Sequence, residues 1–477
     1  MRKSRQLTLW GTIVAFISAC AGCRVVGPNY TGPPAAAIAS SAAAHAPFKG
    51  AGEPAFSSEP AANRWWRLYD SETLDHLVDA AFTANTDLRM AAANLQRSRA
   101  LLQEVKATRE PMAAVNFDPS FQQLSVESYL HSGPFPALGL YETGVAVSYD
   151  LDLFGRLRRA VEAAAADDDA VKAAYDLTKV TVAAETARAY ADVCNAGEKL
   201  AVVHRTLQLY VQTSDTVQSL VSAGRAPSVD YARAAAQVAS TRANIPTLEA
   251  QRTNALYRLA ALTGHPPAEY PLEVGECVSA PRVRTAIPIG DGAALLRRRP
   301  DVREAERRLA ASVAQIGVAT ASLYPDITLG VSMGSTGALR DFLSSATNRY
   351  GVGLAIHWQA NQDVARSRVA QANAAGKLAL ALFDGVVLAA LRDTESALST
   401  YSRDLQREEE LTTARAREFE AQEQAQQLYV GGKTGFLTLL EAERDLASAD
   451  DALASLHAQL ATDQVALFFA LGGGWDS

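Results

Sequence analysis

The segment Leu220-Val-Ser-Ala-Gly-Arg225 has a counterpart in Leu428-Tyr-Val-Gly-Gly-Lys433, which lies 208 residues further along the chain. Earlier matches share a shift of 214 residues: Asp87-Leu-Arg89 with Asp301-Val-Arg303, and Pro111 with Pro325. Self-similarity at a fixed period is typical of a duplicated structural unit. The sequence therefore predicts two repeats, over residues 61–270 and 291–477, with a linker over residues 271–290.

Within each repeat the hydrophobic pattern changes from a helical period to a period of two. Alternation around residues 113–150 and 326–359 predicts a β-hairpin of two strands, each about ten residues long, in each repeat. The alanine-rich stretch from Arg156 to Leu220 then contains no proline, so we expect one helix of roughly 65 residues. Turns at about Gly224 and Gly432 reverse the chain.

The helices on either side of this long helix are shorter. A returning helix is predicted over Val229–Leu262, and another over Thr73–Arg109 before the strands. Because the two together match the long helix in length, we expect them to stack end to end. One repeat is then a long helical hairpin with a β-hairpin at its far end.

The N-terminus has the pattern of an export signal. Three basic residues precede an apolar run from Leu7 to Ala19, which is typical of a signal peptide over residues 1–19. Ile17-Ser-Ala-Cys20 resembles a bacterial lipobox, whose cysteine is lipidated, and Cys23 is a second candidate; a plain secretory signal is the alternative. Residues 20–60 are rich in Ala, Pro, Ser and Gly, which predicts a lipidated extended tether.

Composition excludes several function classes. The net charge of −7 leaves no basic excess for a nucleic-acid partner. Repeated apolar runs of about 20 residues, which a helical membrane protein needs, are missing. The seven histidines are scattered, and Gly431-Gly-Lys-Thr434 has Gln427 where a phosphate-binding loop needs glycine. We therefore expect no catalytic residues, no metal site and no cofactor.

The strand length suits tilted membrane-spanning β-strands. Four strands are too few to close a barrel, and open strand edges are not tolerated in lipid. Three chains would supply twelve strands. Aromatic residues near the strand ends suit an interfacial girdle: Tyr129, Phe135, Tyr141, Phe342, Tyr350 and Trp358. Alternation alone would also fit a soluble β-layer, but the export signal and the long helices favour the membrane.

Several motifs resemble one family. They are Gly27-Pro-Asn-Tyr30, Leu296-Arg-Arg-Arg-Pro-Asp-Val302, Tyr324-Pro325, Asp152-Leu-Phe-Gly-Arg156 and the ending Leu471-Gly-Gly-Gly-Trp475. Together they resemble the TolC-like outer membrane factors, specifically the lipoprotein efflux branch, over nearly the whole mature chain. Gln359-Ala-Asn-Gln-Asp363 departs from the family's Phe-Asp-x-Gly-Arg-like turn in the second repeat.

The resemblance implies a fold that is mainly α with a small β part. Three chains would form a trimeric α/β-barrel, with twelve strands crossing the outer membrane and long coiled-coil helical hairpins enclosing a periplasmic tunnel. It implies a passive, gated duct that exports small molecules such as drugs, anchored by lipid in the outer membrane. Its partners would be two further copies of itself, outer membrane lipid, a periplasmic membrane-fusion adaptor and an inner-membrane pump of the RND type.

The resemblance also implies roles for residues at the two tip turns. Gly224 and Arg225 in the first turn, with Gly432 and Lys433 in the second, would dock the adaptor. Counted from the tip glycines, the family's periplasmic gate falls on Asp230, Tyr429 and Glu441. Three-fold repetition of each carboxylate around a narrow opening would favour cations.

Cys194 and Cys277 remain in the mature chain besides the lipidation candidates. The periplasm is oxidising, and both cysteines reach a similar level by their distance from the first turn, so a disulfide is possible. Two separate buried thiols are the alternative.

Two other functions stay open from the sequence. A lipid-anchored periplasmic coiled-coil scaffold without a pore would keep the helices but would not need alternating ten-residue strands. A duct for metal ions or for protein would keep the fold. The four methionines argue weakly against metal export, which would favour additional soft ligands.

Overall fold

A computed structural model describes residues 25–34, 37–123, 125, 136–270 and 272–473. The signal peptide, Cys20, Cys23, Tyr129 and Phe135 lie outside the described residues, so the predictions that concern them stay predictions. The regular elements follow the chain in this order: β1 (Phe56–Ser57), α1 (Glu72–Ala84), α2 (Thr86–Ala107), β2 (Met112–Gln122), β3 (Leu138–Asp150), α3 (Arg156–Ser222), α4 (Ser228–Ala243), α5 (Ile245–Leu262), β4 (Ile287–Pro288), α6 (Gly292–Arg298), α7 (Pro300–Ala321), β5 (Asp326–Ala338), β6 (Asn348–His357), α8 (Asp363–Val430) and α9 (Phe436–Ala470).

The chain divides into two compact units, and each unit takes parts of both sequence repeats. The first comprises Met1–Pro33, Leu95–Val171 and Ala305–Phe383; the second comprises Pro34–Asn94, Lys172–Glu304 and Asp384–Ser477. The repeats are therefore not two successive globular domains, because each runs through both units.

The first unit contains an antiparallel sheet with strand order β2-β3-β5-β6. The central pair, β3 and β5, comes from different repeats, and Val147 lies opposite Val331 in its register. Each hairpin therefore supplies one inner strand and one edge strand. Along these segments valine and tyrosine, which favour strands, alternate with small residues such as glycine. This alternation accounts for the strands.

The long helices are as extended as the sequence indicates. Helix α3 has 67 residues and α8 has 68 residues, so each is about 100 Å long. Both end in the same way. Gly224 and Gly432 have φ of +70° and +68°, a conformation that favours glycine. The following amides, Arg225 N and Lys433 N, donate to the carbonyls of Leu220 and Leu428 at 2.8 Å, which is the Schellman pattern.

The shorter helices are not continuous, and the prediction of single helices over Thr73–Arg109 and Val229–Leu262 was wrong. Asn85 separates α1 from α2, and Asn244 separates α4 from α5. The carboxamide of Asn85 accepts from the amides of Asp87 and Leu88 at 2.9 and 3.2 Å and so caps α2. At the second break Pro246 lies in the first turn of α5, where the missing amide proton does no harm.

Helix ends meet in the second unit by an arrangement that both repeats share. Asn85 Nδ2 donates to the carbonyl of Leu262, the last residue of α5, at 3.1 Å. Arg299, 214 residues after Asn85, donates from Nη1 to the carbonyl of Ala470, the last residue of α9, at 2.8 Å. In both repeats the start of one helix thus binds the free carbonyls at the end of another.

The arginine-rich motif also ties the end of the chain to its beginning. Arg298 donates to the carbonyls of Gly472 at 3.3 Å and Ala62 at 2.6 Å. Beside it, Trp65 is fully buried and stacks on Phe468 with ring centroids 4.8 Å apart. Burial of aromatic rings of this size contributes a few kcal/mol each, so this cluster is a main anchor of the second unit.

The segment that the sequence predicts as an extended tether is packed over its described part. Short 3-10 turns occupy Ile38–Ser40, Ala42–His45 and Lys49–Gly52. Phe48 and Phe56 are buried, and β1 pairs in parallel with β4 of the inter-repeat linker. A few apolar side chains within a Pro- and Ala-rich segment are enough to hold it against the helices.

The linker is also tied to α3 by a disulfide between Cys194 and Cys277, with Cα atoms 4.7 Å apart. The two cysteines are 83 residues apart in sequence. A cross-link that closes a loop of this size restricts the unfolded chain strongly, by about 4 kcal/mol in the chain-entropy treatment.

We expect the Cys194→Ser/Cys277→Ser double variant to unfold about 5–10 °C below the wild type, because the cross-link no longer restricts the unfolded chain. Thermal unfolding followed by circular dichroism measures this difference. A reducing agent should lower the melting temperature of the wild type and leave that of the variant unchanged. Equal melting temperatures for all three samples would contradict a structural disulfide.

Candidate functional site

The two faces of the four-stranded sheet differ in chemistry. Residues directly opposite one another in the register share a face, and successive residues alternate between faces. One face is apolar over most of the strand length, with Thr143, Ser335 and Asn348 at one end: Val115, Phe117, Val145, Val147, Tyr149, Leu329, Val331, Met333, Tyr350, Val352, Leu354 and Ile356. The other is polar or small: Asn116, Asp118, Glu142, Gly144, Ser148, Gly330, Ser332, Gly334, Thr336, Arg349, Gly351 and Gly353.

This division is that of a membrane barrel, with lipid on one side of the sheet and water on the other. The apolar face is exposed rather than covered; Tyr350 is 91% and Val115 is 78% exposed. On the polar face, Arg349 of β6 reaches across the glycine-containing strand β5 and binds Glu142 of β3 at 2.5 Å. In the described sheet, β2 and β6 each have one edge without a partner strand.

Tyr141 is not a girdle residue, contrary to the sequence prediction. Its side chain is 1% exposed and lies under Phe342, with ring centroids 4.8 Å apart. Its hydroxyl accepts from the amide of Leu343 at 2.8 Å and bonds Ser335 at 2.6 Å. Leu343 has a positive φ of 56°, so this hydroxyl holds the loop 339–347 in a conformation that leucine rarely adopts.

The transition from β3 to α3 is built from the predicted Asp152–Arg156 turn. The carboxylate of Asp152 accepts from the amides of Leu157 and Arg158 at 2.9 Å each and so caps α3. Arg156 bridges the carboxylates of Asp150 and Asp326, at 2.8 and 3.2 Å, at the ends of β3 and β5. In the second repeat, the side chain of Asn361 accepts from the amide of Asp363 at 3.1 Å at the start of α8.

The first described residues are fixed to this transition. Arg159 is 3% exposed, and its guanidinium donates to the carbonyls of Val26 and Gly27, both at 3.1 Å, and to Asn29 Oδ1 at 2.6 Å. Gly27 lies so close to Gly317 that an added Cβ would come within 2.4 Å of its Cα. The segment 25–30 therefore holds the chain beside the sheet two residues after Cys23. Sequence reasoning missed Arg159, because a lone arginine in a helix carries no pattern.

In the second unit, the residues predicted to form the gate lie near the helical turns but do not all meet. Burial raises the pKa of the Tyr429 hydroxyl, and the nearby carboxylate of Asp230 raises it further. Asp230 also pairs with Arg233 at 3.8 Å. Glu441 is exposed. An apolar cluster of Val217, Ala234, Phe436 and Leu440 joins both hairpins beside these residues.

The four residues predicted to dock an adaptor are all exposed. Gly224, Arg225, Gly432 and Lys433 occupy equivalent places in the two turns. Each turn thus has one exposed basic side chain next to a glycine. Across the described part of the chain, no group of three or more His, Cys, Asp or Glu side chains is arranged to hold a metal ion.

One described helix, Asp363–Val430, is long and apolar enough to cross a membrane by length and composition; a window of it has a mean hydropathy of 1.8. A helix that is packed in the core of a soluble protein meets the same criteria. Its apolar surface includes Leu378 and Leu382, each 61% exposed, and Leu388.

The model of the outer membrane efflux protein family matches residues 77–265 and 293–473. The chain belongs to that family. It is 30% identical over 429 residues to the pyoverdine export outer membrane protein OpmQ of Pseudomonas putida, covering 87% of this chain and 88% of the relative. It is 28% identical to the probable outer membrane lipoprotein SilC of Salmonella typhimurium, over 97% of this chain and 98% of SilC.

Among solved structures, the outer-membrane channel OprN superimposes with a TM-score of 0.89 at 33% identity, over 94% of this chain and 99% of OprN. These similarities confirm the predicted TolC-like α/β-barrel fold, which is mainly α with a small β part. The protein is an outer membrane protein and serves as the outer membrane channel of an efflux pump. Members of the family are channels rather than enzymes, and those of tripartite pumps work as trimers with adaptor and inner-membrane components. A pore-less scaffold is thereby excluded.

We expect Tyr141→Phe to loosen the loop 339–347, because the amide of Leu343 and the hydroxyls of Ser335 and Thr347 lose their shared partner. This loss costs about 1–3 kcal/mol. Trypsin should therefore cleave after Arg340, whose side chain is exposed, at least about fivefold faster than in the wild type. Tyr350→Phe is the matched control, since this hydroxyl lies on an exposed ring. Equal cleavage rates in the wild type and Tyr141→Phe would show that the hydroxyl does not hold the loop.

Proposed function

We propose that three copies of the chain form a passive, gated duct whose twelve strands close one barrel in the outer membrane. The sheet in which β2 and β6 leave unpaired edges is the observation that carries this proposal. Backbone groups at an open edge cannot be satisfied in lipid, and β2 of one copy can pair with β6 of the next. The polar face then lines a water-filled pore, and the apolar face contacts lipid.

The exposed leucines of α8 support the same assembly. Leu378, Leu382 and Leu388 would leave an apolar stripe in water on an isolated chain. Stripes of this kind in long helices are buried in coiled-coil contacts between neighbouring helices. Packing against a second copy buries the stripe and extends the duct beyond the barrel.

Lipidation at Cys20 or Cys23 fits the position of the segment 25–30. This segment binds beside the transition from β3 to α3, which lies at one edge of the apolar sheet face. An extended chain spans at most about 3.5 Å per residue. The lipidated residue can therefore lie no further from Val26 than roughly 10 Å if it is Cys23, and no further than about 20 Å if it is Cys20. Either anchor reaches the same leaflet as the strand ends.

We further propose that the two turns dock the pump's adaptor and that carboxylates beside them restrict the opening. Arg225 and Lys433 provide exposed cations for the adaptor, and the inner-membrane partner is of the RND type. Asp230 and Tyr429 lie within electrostatic reach of each other, which supports a shared gate. Glu441 is the solvent-exposed member of the proposed set. The cargo is a small molecule, as in the relative named for pyoverdine export.

Single-channel conductance in planar bilayers tests the duct and its gate together. We expect small, cation-selective openings in the wild type. Asp230→Asn/Glu441→Gln should give larger openings, with the cation-to-anion permeability ratio lowered about fivefold, a change equivalent to about 1 kcal/mol per ion. Glu409→Gln, an exposed carboxylate of α8 that lies 23 residues before Gly432, is the control.

Openings that the double variant leaves unchanged would keep the duct but remove these residues from the gate. Absence of any conductance from protein shown to be a folded trimer would contradict the duct itself.

A further inference from the structure

Four polar residues follow one another at seven-residue intervals along α9: Glu443, Asp450, His457 and Gln464. Residues seven apart lie on one face of a helix, where a packed hairpin normally has apolar side chains. Leucines occupy the neighbouring core positions, among them Leu439, Leu446 and Leu460. The row is buried at its two ends, Glu443 and Gln464, and half-buried at Asp450 and His457.

Three members of this row have matching partners. Asp450 binds Arg415 at 2.8 Å, His457 binds Glu198 at 2.7 Å, and Gln464 donates to the hydroxyl of Tyr401 at 2.8 Å. Glu443 differs from them. It is fully buried, and its Oε1 accepts from the hydroxyl of Thr213 on α3 at 2.5 Å, while Oε2 has no partner among the described residues.

Glu443 lies at a contact between the two hairpins close to their turns. Thr213 and Tyr210 belong to the first hairpin, and the hydroxyl of Tyr210 donates to the backbone carbonyl of Glu443 at 3.4 Å. The apolar cluster that contains Val217 and Phe436 lies between this contact and the turns. Any displacement of one hairpin relative to the other near the turns must therefore expose Glu443 or break its hydrogen bond.

The charged groups around Glu443 do not compensate its charge. Tyr210 faces it from α3, and burial, with the nearby Glu443 as the second cause, raises the pKa of Tyr210 to about 12, so it stays neutral. The adjacent Arg444 is exposed and donates to Gln237 of α4 at 3.0 Å. On α4, Arg233 pairs with Asp230. Glu420 and Glu423, which lie about as far from the turn along α8, are exposed.

We propose that Glu443 makes the contact between the two hairpins sensitive to pH: its neutral acid stabilises the closed packing near the turns, and its carboxylate weakens that packing. The effect of pH on the packing does not depend on the proposed duct. Its consequence for transport rests on the proposed gated duct, because weaker packing beside the turns would favour the open duct. It adds proton control to the gate.

The direction of the effect follows from linkage. Burial raises the pKa of Glu443 to about 7, against a smaller lowering by the hydrogen bond from Thr213. When the contact opens, the carboxyl returns to its ordinary pKa near 4.5. The closed form therefore holds a proton that the open form releases. Opening increases by up to about tenfold for each pH unit between roughly 4.5 and 7 and then levels off.

Hydrogen–deuterium exchange of the full chain in detergent tests this without requiring a pore. We would follow the α3 and α9 peptides around Thr213 and Glu443 from pH 5 to pH 8.5, after correction for intrinsic exchange rates. In the wild type, the opening equilibrium should rise up to about tenfold per pH unit and become constant above about pH 7. In Glu443→Gln it should stay at the low, acidic value throughout.

Two further variants keep the test decisive if Glu443→Gln folds poorly. Thr213→Val removes the hydrogen bond that favours the carboxylate, so the pH at which opening levels off should move upward. Asp445→Asn, an exposed carboxylate two residues away on the same helix, should keep the wild-type profile. A flat wild-type profile, or an unchanged pH dependence in Glu443→Gln, would overturn the proposal.

Conductance recorded over the same pH range separates this proposal from the duct. If exchange responds to pH as described but no conductance is seen, the duct fails and the role of Glu443 in hairpin packing stands. If conductance is normal and exchange is independent of pH in the wild type, only the role of Glu443 fails.

Discussion

A β-strand in lipid must have every backbone hydrogen bond satisfied by protein, and most of this structure depends on that constraint. In the described part of one chain this sheet has four strands, with an apolar face, a polar face and two open edges. Such a sheet is stable neither in water, where the apolar face is exposed, nor in lipid, where the edges are. Closure by further copies solves both problems, and the channel of the efflux pump is the enclosed space that results.

Duplication explains how one chain builds this sheet and the helices that follow it. Each repeat contributes one inner and one edge strand, and the inner strands pair with each other at β3 and β5. Each repeat also ends its long helix in the same glycine turn and joins the shorter helices through a side chain that binds free carbonyls. The chemistry of that join differs: Asn85 performs it in the first repeat and Arg299 in the second.

Elements with strong periodicity could be predicted from the sequence. The alternating strands, the proline-free helix from Arg156 and the turns at Gly224 and Gly432 are set by local chemistry, and the structure has them at those places. The break at Asn85 could not be recognised, because an asparagine caps a helix or sits within one according to its tertiary partner. Pro246 was a readable signal for the second break. The packed segment 37–60 depends on a few buried side chains that composition does not reveal.

Functional residues divide in the same way. The positions of Tyr429 and Asp230 beside the turns could be predicted by counting from the turn glycines, and their role in a gate stays a prediction. Tyr141, Arg159 and Glu443 could not, because their roles depend on burial and on partners that are distant in sequence. A glutamate among leucines on a helix is the one sequence signal that could have pointed to Glu443. Its seven-residue spacing from other polar residues becomes informative only when the partner helix is known.

The mass of the particle extracted intact from membranes tests the central claim most directly. Native mass spectrometry of the full chain in detergent should give three copies, since twelve strands leave no open edge in the barrel. A stable particle of one or two copies would contradict the account, because its sheet would keep unpaired strand edges in the membrane.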